Sequence, residues 1–495
     1  MRPSGGLAMR ACHPWNPADV IPGNRLVPRR CFFRDEPVSY LRLTAFVFAL
    51  MVPVVAGAAD GGVYLYLQPL PLDAARITFE IASVSAVTGS GIEYPLKLNL
   101  GVVGQGETQR QRLLASGRVP AGTYAGFNVR IKRAVLKNPD GQVALAVPET
   151  PVRLDVQLGI TGRQSSLVWL SLKLAESMPS ASTFSPVFTA VVPPSPIADH
   201  AGFVTNSGSD TITVFDRQIM QAVAVVDTCA GPAGLALDQR RRRLYVACSR
   251  DDELQSIDVS TGGIIDRTGT SPGDRPRELA LTPDGSTLVS VNTGSNSISF
   301  FDTAALTRQD RVNVGSGPGS VAIDPTGRRA FVFNTLSSSV SVVDIASRAV
   351  VATLATEASP LRGQFSARGD RLYVIQERSP YMMVFDPQQL TTITRARLNS
   401  TVSAIAVDRV RGLICLSGSN QTTVDFYDPN ALMPLYMMRI RGGASYLAVV
   451  PDDSTLYMVS PDTRSLLVGR LADRKVVSEI DVGDGPYWVA IMGEK

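Results

Sequence analysis

The second half of the chain repeats itself, and no other feature constrains the fold as strongly. From residue 203 a strand, a polar turn and a second strand recur seven times. The copies are FVTNSGSDTITVFD (203–216), LYVACSRDDELQSID (244–258), LVSVNTGSNSISFFD (288–302), AFVFNTLSSSVSVVD (330–344), LYVIQERSPYMMVFD (372–386), LICLSGSNQTTVDFYD (413–428) and LYMVSPDTRSLLVGRL (456–471). All but the last close on an acid (Asp216, Asp258, Asp302, Asp344, Asp386, Asp428), 42 to 44 residues apart. Between copies lies another strand, of the form Pro-x-x-[Leu/Val]-Ala-[Leu/Ile/Val], running into a polar turn such as Asp324-Pro325-Thr326-Gly327. Each unit therefore holds about four short strands with period-2 alternation, the content of one propeller blade.

The repeat starts with the second half of a unit and ends with a first half, GPYWVAIMGEK from residue 485. In a β-propeller that offset lets the last strand complete the blade opened by the first, which removes the free sheet edges. Seven blades are predicted over residues 201–495. The innermost strands carry Ala233, Ala280, Ala322 and Ala448, whose small side chains suit a crowded channel wall.

Phe203-Val204-Thr205-Asn206, the turns Thr282-Pro283-Asp284-Gly285 and Asp324-Pro325-Thr326-Gly327, and strands closing in Val343-Asp344 or Phe301-Asp302 resemble the YVTN family of seven-bladed propeller repeats. The resemblance implies an exported or surface-layer protein, related in fold to lactonase-like propellers. It speaks to fold more than to function, because propellers host many activities. Later blades depart from the motif: Tyr373-Val374-Ile375-Gln376 keeps half of it, and blade six has Ile414-Cys415-Leu416-Ser417.

Residues 60–190 lack the repeat. Alternating segments such as Val63-Tyr64-Leu65-Tyr66-Leu67 and Val152-Arg153-Leu154-Asp155-Val156, separated by Gly-rich turns, predict a β-sandwich. Residues 77–84 and the run Pro120-Ala121-Gly122-Thr123-Tyr124 resemble an uncharacterised bacterial family, immunoglobulin- or transthyretin-like, which implies extracytoplasmic placement and no catalytic residues. Residues 191–200, with Val192-Pro193-Pro194-Ser195-Pro196, read as a stiff linker. The fold class expected is thus all-β: an amino-terminal sandwich followed by a seven-bladed propeller closed by pairing of the last strand with the first blade.

Residues 1–59 read as a leader. The apolar run 43–58 is too short to span a bilayer and ends in Ala56-Gly57-Ala58, the pattern of a secretory cleavage site. Pro28-Arg29-Arg30-Cys31-Phe32-Phe33-Arg34 offers a twin-arginine alternative, against which Asp35 and Glu36 intervene before the apolar run. The leader holds seven arginines and three acids out of 48 basic and 44 acidic residues, so the mature chain carries 41 of each. That neutrality excludes an electrostatic case for nucleic acid, and no integral span is expected after cleavage. Of the 2 histidines, His13 belongs to the leader and His200 to the linker, which excludes multi-histidine metal and haem sites. No metal, cofactor or catalytic residue is predicted. Cys229 and Cys248, 19 residues apart, form a candidate disulfide, while Cys415 lies among apolar residues of a strand.

In a propeller, the loops entering the innermost strands and those joining second to third strands share one face around the channel mouth, the default ligand site. The residues placed there are Arg275, Arg277, Glu278, Arg362, Tyr446, Tyr487 and Trp488 from the first loops, and Glu377 and Arg378 from the second. Arg277 and Arg362 are expected at equivalent inner-strand positions, with Tyr446 and Trp488 corresponding to them. Such a ring suits a carboxylate, a sugar or a peptide loop, or else pairs with acids such as Glu278 and fills space. Asn206, Asn292 and Asn334 recur at one blade position, where Asn's tolerance of left-handed backbone would serve a turn. The function expected is an exported, non-enzymatic binding or scaffold protein. It would be periplasmic, cell-surface or secreted, presenting propeller loops to a cell-envelope protein or glycan. The alternative is a lactonase-like hydrolase at the channel mouth.

Overall fold

A computed structural model describes residues 59–493, apart from 105–108, 140, 195–197 and 451–453. The expected leader, with His13 and the cleavage site, lies outside the described residues. Seven four-stranded antiparallel sheets follow residue 200, one for each repeat unit. In the first blade, Gly202, Phe203 and Val204 pair with Ile491, Ala490 and Val489, so the inner strand Pro486–Ile491 comes from the chain's far end. Each blade twists from an inner strand on the channel to an exposed outer one. Side chains of the two middle strands, such as Leu288 and Phe301 or Phe331 and Val342, fill the space between neighbouring blades.

The closing aspartates tie off the last turn of the first six blades. Asp216 accepts the backbone N–H groups of Gln218 and Ile219, and Asp258, Asp302, Asp386 and Asp428 repeat the pattern. The recurring asparagines work differently from the expectation. Asn206, Asn292 and Asn334 are fully buried at the ends of second strands. Each Nδ2 donates across to two hydroxyls of the third strand, Thr211 and Thr213, Ser297 and Ser299, Ser339 and Ser341. The left-handed residues of these turns lie further on, at Asp210, Asn296 and Ser338. Asn is therefore a buried strap between strands, and the turn geometry rests on other residues.

The amino-terminal residues form one continuous ten-stranded sheet over Gly61–Val191. Its central strand, Gly61–Leu67, is buried on both faces. Val63, Leu65 and Leu67 face the module's own core with Phe79, Phe127 and Phe184. Tyr64 and Tyr66, with Leu113 and Leu167, pack instead against Val204, Phe215 and Val482 of the propeller. The contact spans the outer strands of blades seven and one, the two blades that meet where the ring closes. Arg110 and Arg112 both engage Asp481 of blade seven, at 2.7 and 3.0 Å, and Gln111 bonds both the N–H and the carbonyl of Ala222 of blade one. The indole N–H of Trp169 reaches the same carbonyl, and Ser165 donates to Asp227. Among the described residues no helix is long and apolar enough to cross a membrane.

Candidate functional site

The inner strands set the geometry of the channel. Five begin on proline (Pro232, Pro276, Pro318, Pro360 and Pro486), and the register slips just after it, so the third residue of each occupies one level. With Ala404 and Tyr446 from the remaining blades, that level reads Trp488, Gly234, Glu278, Ser320, Arg362, Ala404, Tyr446 around the ring. Large residues come from blades one, three, five and seven and small ones from two, four and six. An odd-numbered ring cannot alternate throughout, and the two large neighbours, Tyr446 and Trp488, resolve the conflict by stacking with centroids 3.9 Å apart. Gly234 is obligatory at this level, since a Cβ there would stand 2.7 Å from the Cα of Glu278.

Arg362 crosses the channel from blade five. Its guanidinium lies 4.7 Å from the ring centroid of Tyr446 and 4.9 Å from that of Trp488, and Nη2 pairs with Oε1 of Glu278. Both charges are nearly withdrawn from solvent, with side chains 10% and 2% exposed. Burial opposes the charge on Arg362, but the attraction of Glu278, Tyr487 and Tyr446 outweighs it, so its pKa is raised and it stays cationic. One residue before that level, Arg277 donates from Nε to the hydroxyl of Tyr487 at 2.8 Å. Burial and the nearby Glu278 push the Tyr487 phenol above its ordinary range, keeping it a neutral acceptor for Arg277.

The structure thus brings together six of the predicted residues, Arg277, Glu278, Arg362, Tyr446, Tyr487 and Trp488. It corrects one equivalence: Arg362 shares its level with Glu278, Tyr446 and Trp488, whereas Arg277 shares its position with Tyr487. Counted from the proline that opens both strands, Arg277 is the second residue and Arg362 the third, so the two fall on successive levels. Arg275, Glu377 and Arg378 stay on exposed loops outside the cluster. The left-handed Arg275 is held through its backbone N–H by Asp252. Cys229, in the loop entering blade two's inner strand, is bridged to Cys248, with Cα atoms 5.7 Å apart. Cys415 is a buried free thiol whose pKa is pushed up by burial. Sequence reasoning missed the contact between the amino-terminal sheet and the ring closure. Its one visible signal was Val63-Tyr64-Leu65-Tyr66-Leu67, a strand with no polar face.

The model of the YNCE-like β-propeller family matches residues 203–494. No match was found among curated proteins. Among solved structures, a functionally unknown protein from Desulfotomaculum acetoxidans is similar at 14% identity and a TM-score of 0.54, covering 60% of this chain and 100% of that one. Hydrazine synthase from Kuenenia stuttgartiensis is similar at 18% identity and a TM-score of 0.50, covering 56% of this chain and 94% of that one. At these identities the likeness concerns the fold alone.

Proposed function

The chain belongs to the YNCE-like β-propeller family, and from that premise we propose that it is an exported, non-enzymatic binding or scaffold protein whose partner is a cell-envelope protein or glycan. The observation that carries this reading is that the channel cluster is spent on itself. Arg362 is held between two aromatic faces and paired with Glu278, and Arg277 is bonded to Tyr487. A hydrolase at this place would need Glu278 free to take a proton, and Glu278 is 2% exposed beneath an arginine. The Cys229–Cys248 bridge supports placement in an oxidising compartment, the periplasm, the cell surface or the medium.

The same reading takes the repeat as YVTN-type and the amino-terminal sheet as a β-sandwich fastened across the ring closure. The chain needs no cofactor in this role and spans no membrane once its signal is cleaved. Loops around the channel mouth, with the exposed Arg275, Glu377 and Arg378, would meet the partner. The test is hydrolysis of a panel of lactones by the purified protein. No turnover above buffer is expected; turnover that disappears in Arg277→Ala or Arg362→Ala would replace this reading with the lactonase-like one.

A further inference from the structure

The face opposite the channel mouth is built from the turns joining first to second and third to fourth strands, and it is rich in arginine. Most of these arginines are explained by the architecture. At the start of a second strand, Arg243, Arg329 and Arg371 each donate from Nη1 to a carbonyl in the last turn of the next blade, at Thr303, Pro387 and Pro429. Arg241 and Arg411 each pair with the aspartate three residues earlier, Asp238 and Asp408, and reach the next blade at Gly285 and Ser454. These side chains staple neighbouring blades together.

Arg368 and Arg409 do none of this. Both are exposed, and neither makes an ion pair or side-chain hydrogen bond among the described residues. They stand on the first turns of blades five and six, on either side of a cleft of about 390 Å³ that Arg371 and Arg411 also line. The acids nearby do not cancel them. Asp408 is fully buried and taken by Arg411 and by the backbone N–H groups of Val410 and Arg411. Asp370, to which Ser366 donates at 2.6 Å, lines the cleft against four arginines, Arg368, Arg371, Arg409 and Arg411, and leaves it cationic. The fold does not require this charge: in the equivalent cleft between blades three and four, the position of Arg368 is held by Asp284.

We infer that the cleft between blades five and six binds a phosphate or sulfate ester, with Arg368 and Arg409 gripping its oxygens from two sides. Planar guanidinium groups with several unused N–H donors match a tetrahedral oxyanion, and two of them on separate rigid turns fix where it sits. The inference is independent of the export reading, since it rests on the cleft alone. Such a group arrives on a soluble or glycan-linked sugar phosphate or on a lipid headgroup, and the chemistry is the same.

The test uses the purified full chain and two probes: glucose 1-phosphate followed by calorimetry, and vesicles containing phosphatidylglycerol followed by co-sedimentation against phosphatidylcholine vesicles. Binding of either probe is expected to weaken at least about tenfold in Arg368→Ala/Arg409→Ala. It should be unchanged in Arg240→Ala/Arg242→Ala on the same face at blade two. Loss confined to the sugar phosphate assigns a soluble or glycan source, and loss confined to the vesicles assigns a headgroup. Both replaced residues are exposed, so the variant should melt with the parent. No binding of either probe at 10 mM phosphate groups, or binding that survives the double replacement, overturns the inference.

Discussion

Replacing Arg362 by alanine should damage the propeller well beyond the loss of one side chain. The guanidinium neutralises Glu278, which is 2% exposed; among the described residues no other cation is bonded to it, and Oε2 of that carboxylate makes no hydrogen bond. Breaking a buried pair by removing one partner costs about 3–5 kcal/mol, because the remaining charge cannot regain its hydration. Loss of the contacts with Tyr446 and Trp488 adds on the order of 1 kcal/mol. For a domain of this size each kcal/mol moves Tm by roughly 2 °C, so a drop of about 10 °C is expected. Removing both charges, as Glu278→Leu/Arg362→Met, removes the desolvation cost along with the attraction and should come back to within about 1 kcal/mol of the parent. Thermal unfolding followed by circular dichroism gives the cycle. The near-ultraviolet signal of stacked Trp488 reports whether the channel keeps its order. A single replacement costing under about 1 kcal/mol, or a double as unstable as the single, would refute the account of the channel as a closed, mutually dependent cluster.

Four further outcomes follow from other parts of the molecule. Reducing Cys229–Cys248, or Cys229→Ser/Cys248→Ser, should cost about 3 kcal/mol by freeing a short loop in the unfolded chain, measured as a shift in urea midpoint. Cys415, buried and held as the thiol, should stay unreactive to a thiol reagent until the protein unfolds. At the junction of the amino-terminal sheet with the ring, Asp481→Ala takes the carboxylate from Arg112 while Arg110 keeps Glu479, and should lower stability by about 2 kcal/mol. Limited proteolysis should then release the amino-terminal sheet first. Hydrogen bonds from Thr282 and Ser286 hold the exposed Asp284 carboxyl down to about 2. A depressed folded value stabilises above the unfolded pKa of about 3.9, and that small contribution fades as pH falls through 2. Thr282→Val should raise the Asp284 titration, read by carboxyl NMR, toward the ordinary value.

What could be read in advance was whatever the repeat encodes locally. The 42-to-44-residue period and the strand alternation give the blades, and the closing aspartates announce their own turns because an Asx turn is built within four residues. The cluster's membership was legible for a similar reason: Arg277, Glu278, Arg362, Tyr446, Tyr487 and Trp488 all lie on inner strands, and inner strands face one narrow channel. Their partners were not. Glu278 and Arg362 are 84 residues apart in the sequence and meet only across the ring. Gln111 and Ala222, or Arg110 and Asp481, meet only because two modules dock, and no local pattern around any of them signals it. The asparagine straps were misread because a buried Asn between strands and an Asn in a turn leave the same mark in a sequence.

The proposed role, binding at the cell envelope, can be measured directly. The most direct measurement is capture of envelope fractions on the purified protein, compared with a variant in which Arg275, Glu377 and Arg378 are replaced by alanine. A saturable envelope protein or glycan should be retained by the parent and lost by the variant, with both proteins melting alike. Retention of nothing beyond the background of an unrelated propeller, or retention equal in the two proteins, would contradict it.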